Sequence, residues 1–357
     1  MRKYLFLAVL ILAPMVLAGC SLTPAAPANT PPPPPNPNNS LWTSTDAGKT
    51  WINNFPLNQK VDISKVDVLS LAVNPFDAKN VFVGLKGAGI LKTDNGGQDW
   101  SYLNFQSEKV YGLDIDPKDG RIIYASGVWQ KRGKIFKSTD SGENWVEIYT
   151  TPANGPLVIS LVIDKRSPNI IYATTSDNQV IKSTDTGVSW KNIYTSSSPV
   201  LKVAIDRLDS NLIYMATQSG IIFRSKDGGK KFEDLSSQSQ RDKKSQNIRE
   251  VTVIETDPSN SGWLYAVGRA GMLKSSDAGK TWSKIEILNN PQNFPVKTLA
   301  VNPANSKELI YGAAQAAYRS VDGGVNWSTF QFDLAKNVNV IKYSNLDPTQ
   351  LYLGFSK

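Results

Sequence analysis

The sequence predicts an all-β fold, a seven-bladed β-propeller closed by N-terminal C–D strands pairing with C-terminal A–B strands. Three observations carry this expectation. A short turn box recurs seven times, an apolar strand pattern recurs beside it, and the two chain ends hold complementary halves of one repeat. The boxes are Ser44–Trp51, Thr93–Trp100, Ser138–Trp145, Ser183–Trp190, Ser225–Phe232, Ser275–Trp282 and Ser320–Trp327. Their central position falls at Asp46, Asn95, Asp140, Asp185, Asp227, Asp277 and Asp322, in steps of 49, 45, 45, 42, 50 and 45 residues. A period of that size is one supersecondary unit repeated, and such units are stable only when stacked.

In chain order, residues 1–19 read as a signal peptide. Arg2 and Lys3 precede an apolar run from Tyr4 to Leu17, and small residues lead to Cys20. The run is short for a membrane span. Leu17-Ala18-Gly19-Cys20 resembles the bacterial lipobox, which implies cleavage before Cys20 and lipidation of its thiol. Cys20 is the sole cysteine, so an odd thiol in an exported chain gains a role and no disulfide forms within the monomer. Residues 20–40 then form a linker whose proline-rich run reads as a polyproline II spacer of ~3 Å per residue.

The repeat region spans 41–357. In each box the Asp side chain can accept backbone N–H groups further along, and the Ser or Thr can add a local bond. The glycine two residues on supplies a positive φ. The closing Trp or Phe can wedge between neighbouring units. Ahead of all boxes but the first lies strand A, as in Leu-Ala-Val-Asn-Pro (71–75) and Leu-Asp-Ile-Asp-Pro (113–117). Strand B carries one aromatic column: Phe82, Tyr124, Tyr172, Tyr214, Tyr265, Tyr311 and Tyr352. Strand C runs into the box and strand D leaves it. Alternation, β-branched residues and closely spaced turns indicate antiparallel β. The region opens with a C–D pair and closes with an A–B pair. Joining them in one mixed blade removes the free edges.

The box resembles the Asp-box, or BNR, repeat of sialidases, sortilin-type receptors, xyloglucanase-type glycosidases and the photosystem II assembly-factor propellers. The resemblance covers 41–357 and implies the fold. It leaves function open, because these families share the turn and not the chemistry.

Composition narrows that function. There is no histidine, which excludes Ser-His-Asp and Cys-His catalysis and His-ligated metals. No cofactor or metal site is expected. The boxes offer one carboxylate each, spread around a ring, which suits a structural turn better than calcium or carboxylate catalysis. The arginine triad and the Phe/Tyr-Arg-Ile-Pro motif implied by a sialidase resemblance are absent. Phe223-Arg224 and Tyr318-Arg319 are strand C of their repeats. Asp62, Asp67, Glu108, Glu250 and Glu286 could act in a glycosidase, yet nothing in the sequence pairs them. The formal charge is +8, and loss of Arg2 and Lys3 leaves +6. That sign suits acidic partners, while export argues against nucleic acid.

A–B and C–D turns share one face of such a disc. B–C and D–A loops share the other, and there the repeat breaks its template. The B–C segment from Ser126 to Lys134 reads as a long irregular loop holding Trp129, Lys131, Arg132 and Lys134. The D–A connection Glu233 to Glu250 reads as a polar insertion holding Arg241, Lys243, Lys244 and Arg249. Lys86 and Arg269 lie in other B–C loops. Trp and Arg are common binding anchors. The favoured expectation is a non-catalytic, membrane-tethered binding or assembly protein of the bacterial cell envelope. This basic face would take a protein partner with an acidic surface. The alternative is a carbohydrate-binding protein or glycoside hydrolase, with Trp129 stacking on a sugar. A purely structural envelope protein is a third reading. The lipid would hold the chain at the outer face of the cytoplasmic membrane, or at an outer membrane, to which Ser21 after the cysteine points.

Overall fold

The computed structural model describes residues 39–53, 62–105, 107–152, 155–239 and 248–357. Cys20, the proline-rich linker, Arg241, Lys243 and Lys244 lie outside the described residues.

The described chain is antiparallel β, in blades of strands A to D. The first strand, β1 (Leu41–Ser44), belongs to the last blade. Blade 1 holds β2 (Asp67–Asn74), β3 (Asp77–Lys86), β4 (Ile90–Thr93) and β5 (Ser101–Tyr102). Blade 2 holds β6 (Lys109–Ile115), β7 (Ile123–Trp129), β8 (Arg132–Ser138) and β9 (Val146–Thr150). Blade 3 holds β10 (Val158–Ile163), β11 (Ile171–Thr175), β12 (Gln179–Ser183) and β13 (Lys191–Thr195). Blade 4 holds β14 (Val200–Ile205), β15 (Ile213–Thr217), β16 (Ile222–Ser225) and β17 (Glu233–Asp234), followed by the helix α1 (Leu235–Ser239). Blade 5 holds β18 (Val251–Thr256), β19 (Leu264–Gly268), β20 (Gly271–Ser275) and β21 (Ser283–Ile285). Blade 6 holds β22 (Val296–Asn302), β23 (Asn305–Ala313), β24 (Ala316–Ser320) and β25 (Ser328–Gln331). Blade 7 joins β26 (Asn337–Tyr343) and β27 (Leu351–Ser356) to β1. Here Leu41 faces Gly354 and Ser44 faces Leu351, and Ile52 bridges to Thr43 in the place of strand D.

The strands of type A are innermost and touch in a complete circuit, β2–β6–β10–β14–β18–β22–β26 and back to β2. Side chains tie them across the seams. Asn339 donates to the Val68 carbonyl at 2.8 Å, and Ser70 donates to the Val110 carbonyl at 2.9 Å.

Each box forms the turn its residues predict. At all seven, the side-chain oxygen of the third box residue (Asp, or Asn95) accepts the N–H four residues on at 2.9 Å, as from Thr50 to Asp46 and Asp99 to Asn95. The Ser or Thr hydroxyl accepts the glycine N–H, as at Gly142 to Ser138, 2.9 Å. The residue before the glycine also takes a positive φ, including Ala47, Ser141, Thr186 and Ala278. Its carbonyl is thereby turned outward to the preceding blade, which uses it. The Tyr124 hydroxyl donates to Thr186 O at 3.3 Å, and the Tyr172 hydroxyl to Gly228 O at 3.1 Å. The aromatic column is fully buried, from Phe82 at 0% to Tyr352 at 1% exposed. Box tryptophans wedge between blades; Trp145 lies 4.7 Å from Phe105 of the preceding blade's trailing segment.

Candidate binding face

Antiparallel order puts the Asp boxes and A–B turns on one face of the propeller, and the B–C hairpins and D–A connections on the other. The two faces differ in regularity. On the box face, the residue ending each strand A closes an Asx or Ser turn, as Asp116 does with Lys118 N at 2.7 Å and Asp206 with Leu208 N at 2.8 Å. Arg207 reaches across from blade 4 to Asn345 of blade 7 at 2.7 Å, strapping this end of the bore.

On the loop face the structure corrects two expectations. The segment around Trp129 is no long loop. Strands β7 and β8 run on to Trp129 and Arg132, which pair directly, and only Gln130 and Lys131 turn, both at positive φ. Trp129 is half-buried. It packs 5.9 Å from Phe136, with the Lys134 ammonium 4.6 Å over its ring. Lys134 itself is 9% exposed and bonds Glu147 at 2.6 Å. Both side chains are therefore parts of the blade, and neither is a free anchor.

The Glu233–Glu250 connection also begins as regular structure. Glu233 and Asp234 form β17, and Asp234 caps α1 by accepting Ser237 N at 3.0 Å. Leu235 is fully buried, as is Ile248 at the far side. Arg249 follows Ile248 and is exposed.

What remains on this face is a set of cations without acidic partners among the described residues: Lys109, Lys131, Arg132, Arg249, Arg269 and Lys297. Lys86 pairs with Asp67 at 3.4 Å. Lys86 and Lys109 face each other across the bridge between blades 1 and 2. Arg249, Arg269 and Lys297 gather at blades 5 and 6. The carboxylates considered for catalysis are not assembled. Asp62 pairs with Lys65, Asp67 with Lys86, Glu286 with Lys284, and Glu250 accepts from Gln292. Among the described residues no group of three or more His, Cys, Asp or Glu is placed to hold a metal.

One feature of the face escaped the sequence reading. Every strand A has a register shift just inside the loop face. The extra, unpaired residues are Leu69, Tyr111, Ile159, Leu201, Thr252, Lys297 and Asn339. Each follows a valine that is fully buried: Val68, Val110, Val158, Val200, Val251, Val296 and Val338. A bulge re-aims its side chain out of the pleat. The extra residues are apolar or aromatic in blades 1 to 4 and polar in blades 5 to 7. The valine column three residues before the more obvious Leu-x-Val pattern was the available signal.

Deeper in the bore, Lys202 bonds Glu255 at 2.6 Å, with side chains 32% and 24% exposed. Desolvation holds the Lys202 pKa below the usual lysine value, although Glu255 draws it up. Desolvation works against the Glu255 carboxylate too. Lys202 and Lys342 together still hold its pKa below the ordinary glutamate value.

The sortilin (neurotensin receptor 3) Vps10 family model matches residues 220–353. The GH74 xyloglucanase of Xanthomonas campestris superposes with a TM-score of 0.66 at 15% identity, covering 81% of this chain and 51% of that one. With the seven box turns in place, these likenesses decide the fold. This chain is an Asp-box β-propeller. The Asp-box propeller also superposes on YCF48 bound to a D1 peptide, with a TM-score of 0.59 at 13% identity, over 82% of this chain and 94% of that one. An oligoxyloglucan-reducing end-specific xyloglucanase of Emericella nidulans is 27% identical over 125 residues, 32% of the Asp-box propeller and 15% of that enzyme. The propeller thus spans only part of its curated relatives and about half of the xyloglucanase structure.

Proposed function

We propose that the protein is a non-catalytic, membrane-tethered binding or assembly protein of the bacterial cell envelope. Its loop face takes a segment of a partner protein with an acidic surface. The observation that carries this reading is the set of cations on that face without acidic partners among the described residues, beside the bulged residues Leu69, Tyr111, Ile159 and Leu201. Acidic side chains would meet the cations, and apolar ones the bulged residues. The likeness to a peptide-bound YCF48 supports a protein partner.

The carbohydrate alternative loses its motivating residue, because Trp129 is committed to Phe136 and Lys134. Charge reversal of Arg132, Arg249 and Arg269 together tests the proposal in an in-cell cross-linking capture. The expected result is loss of the partner band with an unchanged melting temperature. Undiminished capture, or turnover of xyloglucan oligosaccharides, would contradict it.

A further inference from the structure

On the box side of the rim, one groove lies at the seam between blades 3 and 4 and another at the seam between blades 6 and 7. Each is walled by strands C and D of one blade and the box of the next. Three positions set the charge at a seam: the strand-C residue before the box Ser or Thr, its cross-strand partner on D, and the residue after the box glycine of the following blade. The triads are Lys92, Ser101 and Glu143; Lys137, Val146 and Val188; Lys182, Lys191 and Lys230; and Arg224, Glu233 and Lys280. The ring continues with Lys274, Ser283 and Val325; Arg319, Ser328 and Lys49; and Thr43, Ile52 and Gln98. Only the seam between blades 3 and 4 has lysine at all three.

That arrangement opposes the template. In blade 4 the same two strand positions form an ion pair between Arg224 and Glu233. In blade 3, Lys182 and Lys191 stand directly opposite, and like charges so placed destabilise a sheet. A local rule broken in this way points to function.

The groove has the geometry of a site. It encloses about 330 Å³, lined by the three lysines with Asn192, Ile193 and the Gly228–Gly229 backbone, and by no carboxylate. Lys182 is held in place. Its ammonium lies 5.1 Å over the Tyr172 ring and donates to Gly228 O at 2.8 Å, which leaves N–H groups free. Lys191 and Lys230 are exposed and form no salt bridge among the described residues, although the Lys230 charge acts on Asp227. Desolvation lowers the Lys182 pKa, Asp164 opposes this, and Lys230 adds to the lowering. An anion between the three amines would relieve their mutual repulsion.

We propose that the seam between blades 3 and 4 is a binding site for a phosphate- or sulfate-type oxyanion carried on a larger molecule such as a sugar ester. The volume exceeds that of the anion alone, and Asn192 offers an amide to a neighbouring hydroxyl. The site lies at the rim on the box side, away from the loop face, and stands independently of the function proposed there.

The test uses the full-length protein in detergent, titrated with inorganic phosphate, glucose 6-phosphate and glucose. Binding is followed by ³¹P NMR line broadening and by melting temperature. We expect both phosphates to bind and glucose to be silent. Lys191→Ser with Lys230→Ser should weaken binding at least tenfold, and Lys280→Ser, at the next seam, should leave it unchanged. Without ligand, Lys191→Ser should melt higher than the wild type, because the like-charge pair is gone. Tighter binding of glucose 6-phosphate than of phosphate would assign the remaining volume to the carrier. Equal binding of the two would overturn the carrier and leave a free-anion site. Absent binding, or binding unchanged in the double variant, would overturn the site itself.

Discussion

Asp140 shows what the box carboxylate contributes. It accepts from Asn144 N and Nδ2 and from the Ser138 hydroxyl, and these bonds hold its pKa at about 2 against an ordinary 3.8. Asp185 and Asp322 are held at about 2 in the same way, led by the Ser189 hydroxyl and the Asn326 N–H. A carboxyl whose folded pKa is depressed stabilises above its unfolded pKa, and that stability is lost as pH falls toward the folded value. These three aspartates therefore contribute fully above pH ~4 and cease to contribute near pH ~2. Asn95 makes the same backbone bond without a charge. We expect Asp140→Asn to keep the turn while making thermal stability less dependent on pH between about 4 and 2. A slope equal to that of the wild type would refute this role.

At the scale of elements, the boxes were legible because each is closed by bonds within eight residues. Features set by cross-strand register were not. The Trp129–Arg132 hairpin read as an irregular loop because Gln130-Lys131 lacks the Asn-Gly chemistry of a tight turn, yet takes its positive φ angles. The bulged residues could not be seen without knowing which residues on strand B they face. The box glycine likewise has a second role hidden from the sequence. At Gly187, with φ at +93°, a Cβ would lie 2.4 Å from Ile148 Cδ1 of the preceding blade. Gly187→Ala should therefore cost about 1–3 kcal/mol in chemical denaturation, from backbone strain and overpacking together. A change within error would show that the seam is looser than described.

At the scale of the whole propeller, the first and last described strands share blade 7, and a buried lysine pins the seam beside them. Lys336 is 6% exposed and donates to the Ser40 hydroxyl at 2.7 Å, Ser64 O at 3.0 Å and Val66 O at 2.6 Å. Lys336→Met would strand these acceptors and cost roughly 1–3 kcal/mol. Limited proteolysis should then cut first near residues 39–66, and an unaltered digestion pattern would contradict a pinning role.

The central claim is the proposal that the loop face is where a partner binds. The direct measurement is in-cell photo-cross-linking from a probe at position 132 on the loop face and from one at position 188 on the box face. Val188 is 82% exposed and Arg132 is partly exposed. The account predicts one discrete partner captured from position 132 and lost on charge reversal of Arg249 and Arg269. Capture of the same protein from position 188 alone, with nothing at 132, would contradict it.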